Sequence, residues 1–271
     1  MPDVEGHYRS DGLTDRILEA VRTDSNAAAG ELVDADALAT VDEFHLGGRA
    51  ATNLVAAELR HLEPSLVLDI GSGIGGTART LARTLSCRVL GVDLTPEFVT
   101  TASDLTVAVG LDDVAEFRVG SALELPVDDA AVDAVTLVHV GMNIDDKATL
   151  AAEFARVLRP GGAAVIYDVM RVADGDLAFP MPWAAGPETS FVAEPERYVE
   201  ALTEAGFRVG DPLDQAALVL DVLAAGASRP APPVHLGHLM GPEFPVMFSN
   251  LVTAMKAGIV APMLLTGILP A

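Results

Sequence analysis

The chain is short of cysteine, of lysine and of long apolar runs, and each shortage removes a class of function. Among 271 residues there is a single cysteine, Cys87, so no internal disulfide can form and no thiolate cluster is available for zinc. A reducing, cytoplasmic setting is therefore expected. Lysine occurs only at Lys147 and Lys256, and 17 basic residues face 39 acidic ones, for a formal net charge of −22. Binding a phosphate backbone needs clustered lysine and arginine, so no nucleic-acid partner is expected. The most apolar stretch, Asn250 to Ala271, is broken by Lys256, Gly258, Pro262 and Gly267 before a membrane span of ~20 residues accumulates. It reads instead as a buried helix followed by a closing strand, Gly258 to Leu269, with Pro262 at a position that can lose a ladder donor. Residues Met1 to Glu5 have neither the basic stretch nor the apolar core of a secretion signal.

What the chain does have is a strand that breaks into a glycine turn. Leu66-Val67-Leu68-Asp69-Ile70 runs into Gly71-Ser72-Gly73-Ile74-Gly75-Gly76, and a second apolar strand from Arg88 ends on Asp93. This pattern builds a nucleotide-shaped pocket at the carboxyl edge of a parallel sheet. Glycines 71, 73 and 76 also satisfy the dinucleotide fingerprint, with Asp93 at the offset of a ribose-binding acid. A nicotinamide-dependent oxidoreductase is thus one reading. Asp69 favours another, because its negative charge would repel a pyrophosphate at the helix amino end and attract a ligand carrying an ammonium and a sulfonium. S-adenosylmethionine is such a ligand, with its methionine end over the glycine turn and its ribose on Asp93. The plainer role for Asp69 is a carboxylate that accepts turn amides.

From Leu66 onward, short apolar runs alternate with helical stretches, as in a doubly wound parallel sheet. Strands are expected at 66–70, 88–92, 115–119, 134–139 and 163–169. Thr95-Pro96-Glu97 opens one helix that runs to Val109, and Asp145-Asp146 opens another that closes at Leu158-Arg159-Pro160-Gly161-Gly162. A third is expected from Pro195 to Ala205. Residues 1–62 are predominantly helical in pattern, with Leu13, Ile17, Leu18 and Val21 at helical spacing, and should form a cap over the pocket mouth. Residues 63–271 then form the nucleotide-binding domain, with cap insertions near 172–194 and 212–245 and a stiff Ala231-Pro232-Pro233 connection.

Taken together, these motifs resemble the class I S-adenosylmethionine-dependent methyltransferases over about Phe44 to Phe207. Phe44-His45-Leu46-Gly47-Gly48-Arg49-Ala50-Ala51-Thr52 is similar to the segment before the sheet in the sarcosine/dimethylglycine and ubiquinone/menaquinone methyltransferase groups. Val119 to Pro126 resembles the family's third-strand motif, although Ser121 stands where an acid usually contacts adenine. Arg156 to Gly162 resembles the helix end before the fifth strand. The resemblance implies an α/β fold, a Rossmann-like doubly wound seven-stranded sheet with its last strand antiparallel and helical caps. It implies S-adenosylmethionine as cofactor and S-adenosylhomocysteine as product, and it places the cofactor against Gly47, Gly48, Asp69, Gly71, Gly73, Asp93, Leu94, Ser121, Ala122, Leu123 and His139.

Methyl transfer is an in-line displacement, so alignment and water exclusion matter more than a strong base. His139, at the end of the fourth strand, is either a general base or a cofactor contact. Arg49 has the fork to bind a carboxylate and serves equally in a surface ion pair. Tyr8, His45, Met142, Asn143, Trp183 and Phe191 are candidate walls of the substrate pocket. His45, His235 and His238 match no standard metal spacing, so no metal is expected. The expected function is methylation of a small molecule, first an amine or amino-acid-like compound at nitrogen, second a metabolite at carbon or oxygen. A protein that binds S-adenosylmethionine without transferring its methyl group is a further alternative. A homodimer is compatible with all of these.

Overall fold

The computed structural model describes residues 12–25, 31–43, 45–227 and 241–271. Phe44, Tyr8, the 231–233 connection, His235 and His238 lie outside them, as does much of the expected 212–245 cap. In chain order the elements are α1 (Leu13–Ser25), α2 (Gly48–Leu59), β1 (Leu66–Ile70), α3 (Gly76–Leu85), β2 (Arg88–Asp93), α4 (Pro96–Ala108), β3 (Ala115–Val119) and β4 (Val132–Val138). There follow α5 (Lys147–Val157), β5 (Leu158–Arg171), α6 (Pro195–Glu204), β6 (Arg208–Val209), β7 (Leu213–Asp214), α7 (Ala216–Ala227), α8 (Phe244–Lys256) and β8 (Val260–Ile268).

The sheet order is β3-β2-β1-β4-β5-β8-β6, with β7 also on β8. Strands β1 to β5 are parallel and β8 is antiparallel to β5. Parallel strands covered on both faces are near-continuous apolar runs, as Leu66-Val67-Leu68 is and as Ala134 to Val138 is apart from Thr136. One face packs Leu68, Ile70, Val135 and Leu137 against Leu150 and Phe154 of α5 and Leu202 of α6. The other packs Val67, Val89 and Val165 against Val55 and Leu59 of α2 and Leu81 of α3. Strand order reverses between β1 and β4, so their carboxyl ends open the crevice in which α/β sheets take ligands.

Several boundaries depart from the sequence reading. β4 stops at Val138, because His139 adopts φ +55° and turns the chain out of the ladder. β5 begins at Leu158, not Ala163: Arg159-Pro160-Gly161-Gly162 is a bulge within the strand, since the register with β4 jumps from Val132↔Leu158 to Ala134↔Ala163. The sheet has eight strands where seven were expected, because two short segments, β6 and β7, share one side of β8. β7 therefore places the start of the expected 212–245 cap in the sheet. Pro262 sits on an inner strand, yet its carbonyl accepts from the Gln215 amide, so its nitrogen faces that same side, just past the last β7 pair.

α1 buries Leu13, Ile17 and Val21 at intervals of four against Phe98 and Leu105 of α4 and Ile74 of the glycine turn. Residues 31–43 then form a strap across the start of α3. Arg79 of α3 fixes it: the buried guanidinium donates to Asp42 Oδ2 at 2.8 Å, the Ile74 carbonyl at 2.9 Å and Thr106 Oγ1 at 2.9 Å. Removing one partner of such a pair strands the other in low dielectric. Arg79→Met should therefore cost about 3–5 kcal/mol in urea denaturation, and adding Asp42→Asn should recover part of it.

Candidate active site

The glycine turn is shaped by two close approaches. At Gly71, with φ +69°, a Cβ would lie 2.2 Å from Val140 Cγ2, and at Gly76 it would lie 2.0 Å from the Asp42 carbonyl oxygen. The first keeps the turn against the segment after β4, and the second keeps the strap on α3. Gly71 and Ser72 donate to the Val92 carbonyl at 2.7 and 3.1 Å, which ties the turn to β2.

Asp69 is fully buried, flanked in register by Gly91 on β2 and Thr136 on β4. Thr136 Oγ1 donates to Asp69 Oδ1 at 2.7 Å, while Oδ2 is buried without a partner. Burial pushes the carboxyl up to about 7, and the nearby Asp93 and Glu43 charges add to the rise. An unsatisfied buried carboxylate oxygen at the crevice is what a cationic ligand would complete and a diphosphate would not. Asp93 accepts from the Gly73 amide at 2.8 Å and the Thr95 amide at 2.9 Å, leaving lone pairs on both oxygens. Beside it Leu94 is 48% exposed, an apolar face left bare at the strand edge. The Gly120 amide donates to the Asp93 carbonyl, which sets Ser121, Ala122 and Leu123 next to this acid. Ser121 Oγ accepts from the Leu123 amide at 3.1 Å. The expected cofactor contacts thus gather along one edge.

His139 closes the other end. Its amide donates to the Tyr167 carbonyl at 2.8 Å, its ring stacks on Tyr167 at 5.4 Å, and Nε2 is buried without a partner. A non-glycine residue at positive φ is strained, and such strain concentrates at functional sites. Burial holds the imidazole well below its ordinary pKa, with His45 adding to the effect, so it is neutral at pH 7. His45 lies 6.0 Å from it between ring centres, with its own Nε2 near Glu43 Oε2 at 3.2 Å, Thr52 Oγ1 at 3.0 Å and the Gly48 carbonyl at 3.1 Å. Tyr167 Oη donates to the Leu46 carbonyl at 3.0 Å, which brings Gly47 and Gly48 to the same edge. Arg49 is the ion pair, not a free carboxylate binder: it donates to Glu43 Oε1 at 2.7 Å and Asp36 Oδ1 at 3.1 Å.

Met142 and Trp183 are buried in a third apolar cluster with Leu46, Met181, Val219, Leu251 and Met255. Trp183 Nε1 donates to Ser190 Oγ at 3.0 Å, the partly buried Phe191 donates its amide to the Met142 carbonyl at 2.8 Å, and Asn143 Oδ1 is buried without a partner. Met142 and Trp183 thus share one apolar cluster, to which the Phe191 amide is tied through the Met142 carbonyl, and the Gly141–Asn143 turn follows His139 in the chain. Sequence reasoning missed Thr136, Glu43, Tyr167 and Thr52. For Thr136 the only signal was its place two residues into an otherwise apolar strand run.

Among the described residues no group of three or more His, Cys, Asp or Glu side chains is placed to hold a metal, and no helix is long and apolar enough to cross a membrane. Residues 68–166 match the methyltransferase domain family. The chain is 40% identical over 102 residues to 2-methyl-6-phytyl-1,4-hydroquinone methyltransferase of Synechocystis, covering 38% of this chain and 31% of that protein. It is 30% identical over 161 residues to norajmaline N-methyltransferase of Rauvolfia serpentina, covering 59% and 50%. The match thus spans half or less of each relative's length. The fold matches geranyl diphosphate C-methyltransferase from Streptomyces coelicolor with a TM-score of 0.67 at 17% identity, over 99% of this chain and 98% of that one. Residues 68–166 thus carry a methyltransferase domain, which takes in the glycine turn and strands β1 to β5 from Leu68 to Ile166. The sheet around it has the Rossmann-like order of the matched fold.

Since Asp69 must ionise to hold a cation, S-adenosylmethionine should bind about tenfold more weakly at pH 5.5 than at pH 7 in calorimetry. Neutral 5′-methylthioadenosine should show no such dependence, and Asp69→Asn should flatten the profile.

Proposed function

We propose that the chain methylates a small apolar molecule at a hydroxyl oxygen, or at a carbon activated by one, using S-adenosylmethionine. The observation that carries this reading is the neutral, unpartnered Nε2 of His139 beside an apolar wall. An amine that arrives neutral needs no base, whereas a hydroxyl or acidic carbon must lose a proton as it attacks. The acids near the wall are already engaged: Glu43 by Arg49, Thr52 and His45, and Asp168 by the Tyr198 hydroxyl. None of them is left to hold a substrate ammonium. This favours the second sequence expectation over the first, and the Synechocystis relative, named for a hydroquinone, supports the same choice.

When bound, S-adenosylmethionine supplies a methyl group on a cationic sulfur that leaves as a thioether. Asp69 and Asp93 would hold its polar ends, while Leu94 and the 121–123 turn would lie along the adenosyl group. Met142, Trp183 and Phe191 seat the acceptor and keep water out, which protects the methyl group and shortens the approach of the nucleophile. His139 Nε2 takes the hydroxyl proton and later releases it to solvent. Because the imidazole stays neutral well below pH 6.5, kcat at saturating S-adenosylmethionine should remain level as pH falls through 6, while the cofactor KM rises with protonation of Asp69.

The test is incubation with methyl-labelled S-adenosylmethionine and either decylhydroquinone or tryptamine, followed by mass spectrometry. A methyl-mass gain on the hydroquinone is expected. A gain on the amine alone, no gain on either compound, or calorimetric binding of NADH in place of S-adenosylmethionine overturns the reading. His139→Gln should lower kcat by about 10²–10⁴-fold with cofactor affinity unchanged.

A further inference from the structure

Three buried ionisable groups take no part in the chemistry above. Asp168 on β5, Tyr198 on α6 and Lys147 at the start of α5 are all under 4% exposed. Tyr198 Oη donates to Asp168 Oδ2 at 2.7 Å, and the Met142 and Val169 amides also donate to this carboxylate. The acceptor thereby caps the short Gly141–Asn143 turn. Gly141 is in contact with the pair, since a Cβ there would lie 2.4 Å from Asp168 Oδ2 and 2.7 Å from Tyr198 Oη. Lys147 Nζ lies 5.1 Å from the centre of the Tyr198 ring and donates to two carbonyls, those of Ile144 and Phe191.

We propose that Asp168, Tyr198 and Lys147 are positioning residues that fix the Gly141–Asn143 turn and the Phe191 segment as one acceptor wall beside His139. The inference rests on the methyl-transfer reading and names what holds its substrate side in place. The turn follows directly on His139 and Val140, and Val140 bears on Gly71 of the cofactor turn. One lysine ties both halves of the wall, the end of the turn through Ile144 and the cap through Phe191, and the Phe191 amide closes the loop by donating to the Met142 carbonyl. Three buried charge-bearing groups are costly to desolvate, and a fold that needed only core packing would fill this place with apolar side chains. Burial raises the Asp168 carboxyl to about 7 against the opposing pull of Tyr198 and Lys147, and the same burial lowers the Lys147 ammonium, which Asp145 and Arg197 also face. The ammonium is committed to carbonyls, so the wall offers the acceptor no free charge.

Amide hydrogen exchange on the full chain saturated with S-adenosylhomocysteine tests the device without any acceptor, so its outcome is separate from that of the methyl-transfer assay. Tyr198→Phe and Lys147→Met should each speed exchange about tenfold in segments 139–144 and 190–193 while leaving 66–76 unchanged. Asp168→Asn keeps an oxygen for the Met142 amide and should stay near wild type, whereas Asp168→Ala should exchange as fast as Tyr198→Phe. With decylhydroquinone as acceptor, the first two variants should raise KM about tenfold and leave cofactor affinity within about twofold. Unchanged exchange in both wall segments, or acceleration spread equally into 66–76, overturns the proposal, as does an unchanged KM. Tyr198→Phe removes one hydroxyl and keeps the test valid even if Asp168→Ala does not fold.

Discussion

Asp69 is held between two parallel strands at the point where strand order reverses, with Gly91 on one side and Thr136 on the other, and the threonine hydroxyl satisfies one of its two oxygens. The second oxygen is left dry and unpaired. A buried carboxylate in that state is unfavourable, and the sheet tolerates it because the surrounding apolar core, from Leu68 and Ile70 to Val135 and Leu137, stabilises the strands independently. The crevice is thereby selective by charge before any substrate contact is considered. A cation lowers the cost of ionising Asp69, while an anion raises it.

The strap extends the same logic. Asp42 and Glu43 bring two more carboxylates to the start of α3, and each is matched by an arginine: Arg79 buried under Asp42, Arg49 reaching from α2 to Glu43. The arginines are spent on internal pairs. This explains why Arg49, whose fork suits a ligand carboxylate, is not available to one. It also explains why Gly76 is needed, since any side chain there would displace the Asp42 backbone and open the strap.

Much of this was legible in the sequence where chemistry is local. The glycine turn with Asp69 and Asp93, the apolar strands β1 to β3, and the proline-led helices at Pro96 and Pro195 all follow from neighbouring residues and fall close to where the pattern puts them. What was hidden depends on register and on residues distant in the chain. Thr136 meets Asp69 only because β4 pairs with β1 in one register out of several. His45 and His139 are 94 positions apart, and nothing in either neighbourhood foretold a 6.0 Å approach. Arg159-Pro160-Gly161-Gly162 carries a genuine helix-end signal; β5 nonetheless starts ahead of it because the bulge lets Leu158 reach Val132. Lys147, Asp168 and Tyr198 each read as ordinary residues of a helix start, a strand and a helix, and only tertiary packing makes them a cluster.

A single physical cause sets the proton states of the whole site. Desolvation dominates at Asp69, at Asp168 and at His139, raising both carboxyls to about 7 and lowering the imidazole. Each shift moves its group towards the uncharged form, so the crevice can stay dry without trapping bare charge. The consequences then differ by position. At Asp69, where one oxygen has no partner, an arriving cation would displace the proton. At Asp168, which Tyr198 and the Met142 amide already satisfy, the group is fixed in the scaffold. At His139, a neutral nitrogen is left with no partner, which is what the proposed base requires. Burial of three groups within one fold thus suits the three roles proposed for them, a binding switch, a structural anchor and a proton acceptor, and what separates them is how many hydrogen bonds the protein itself has already made to each.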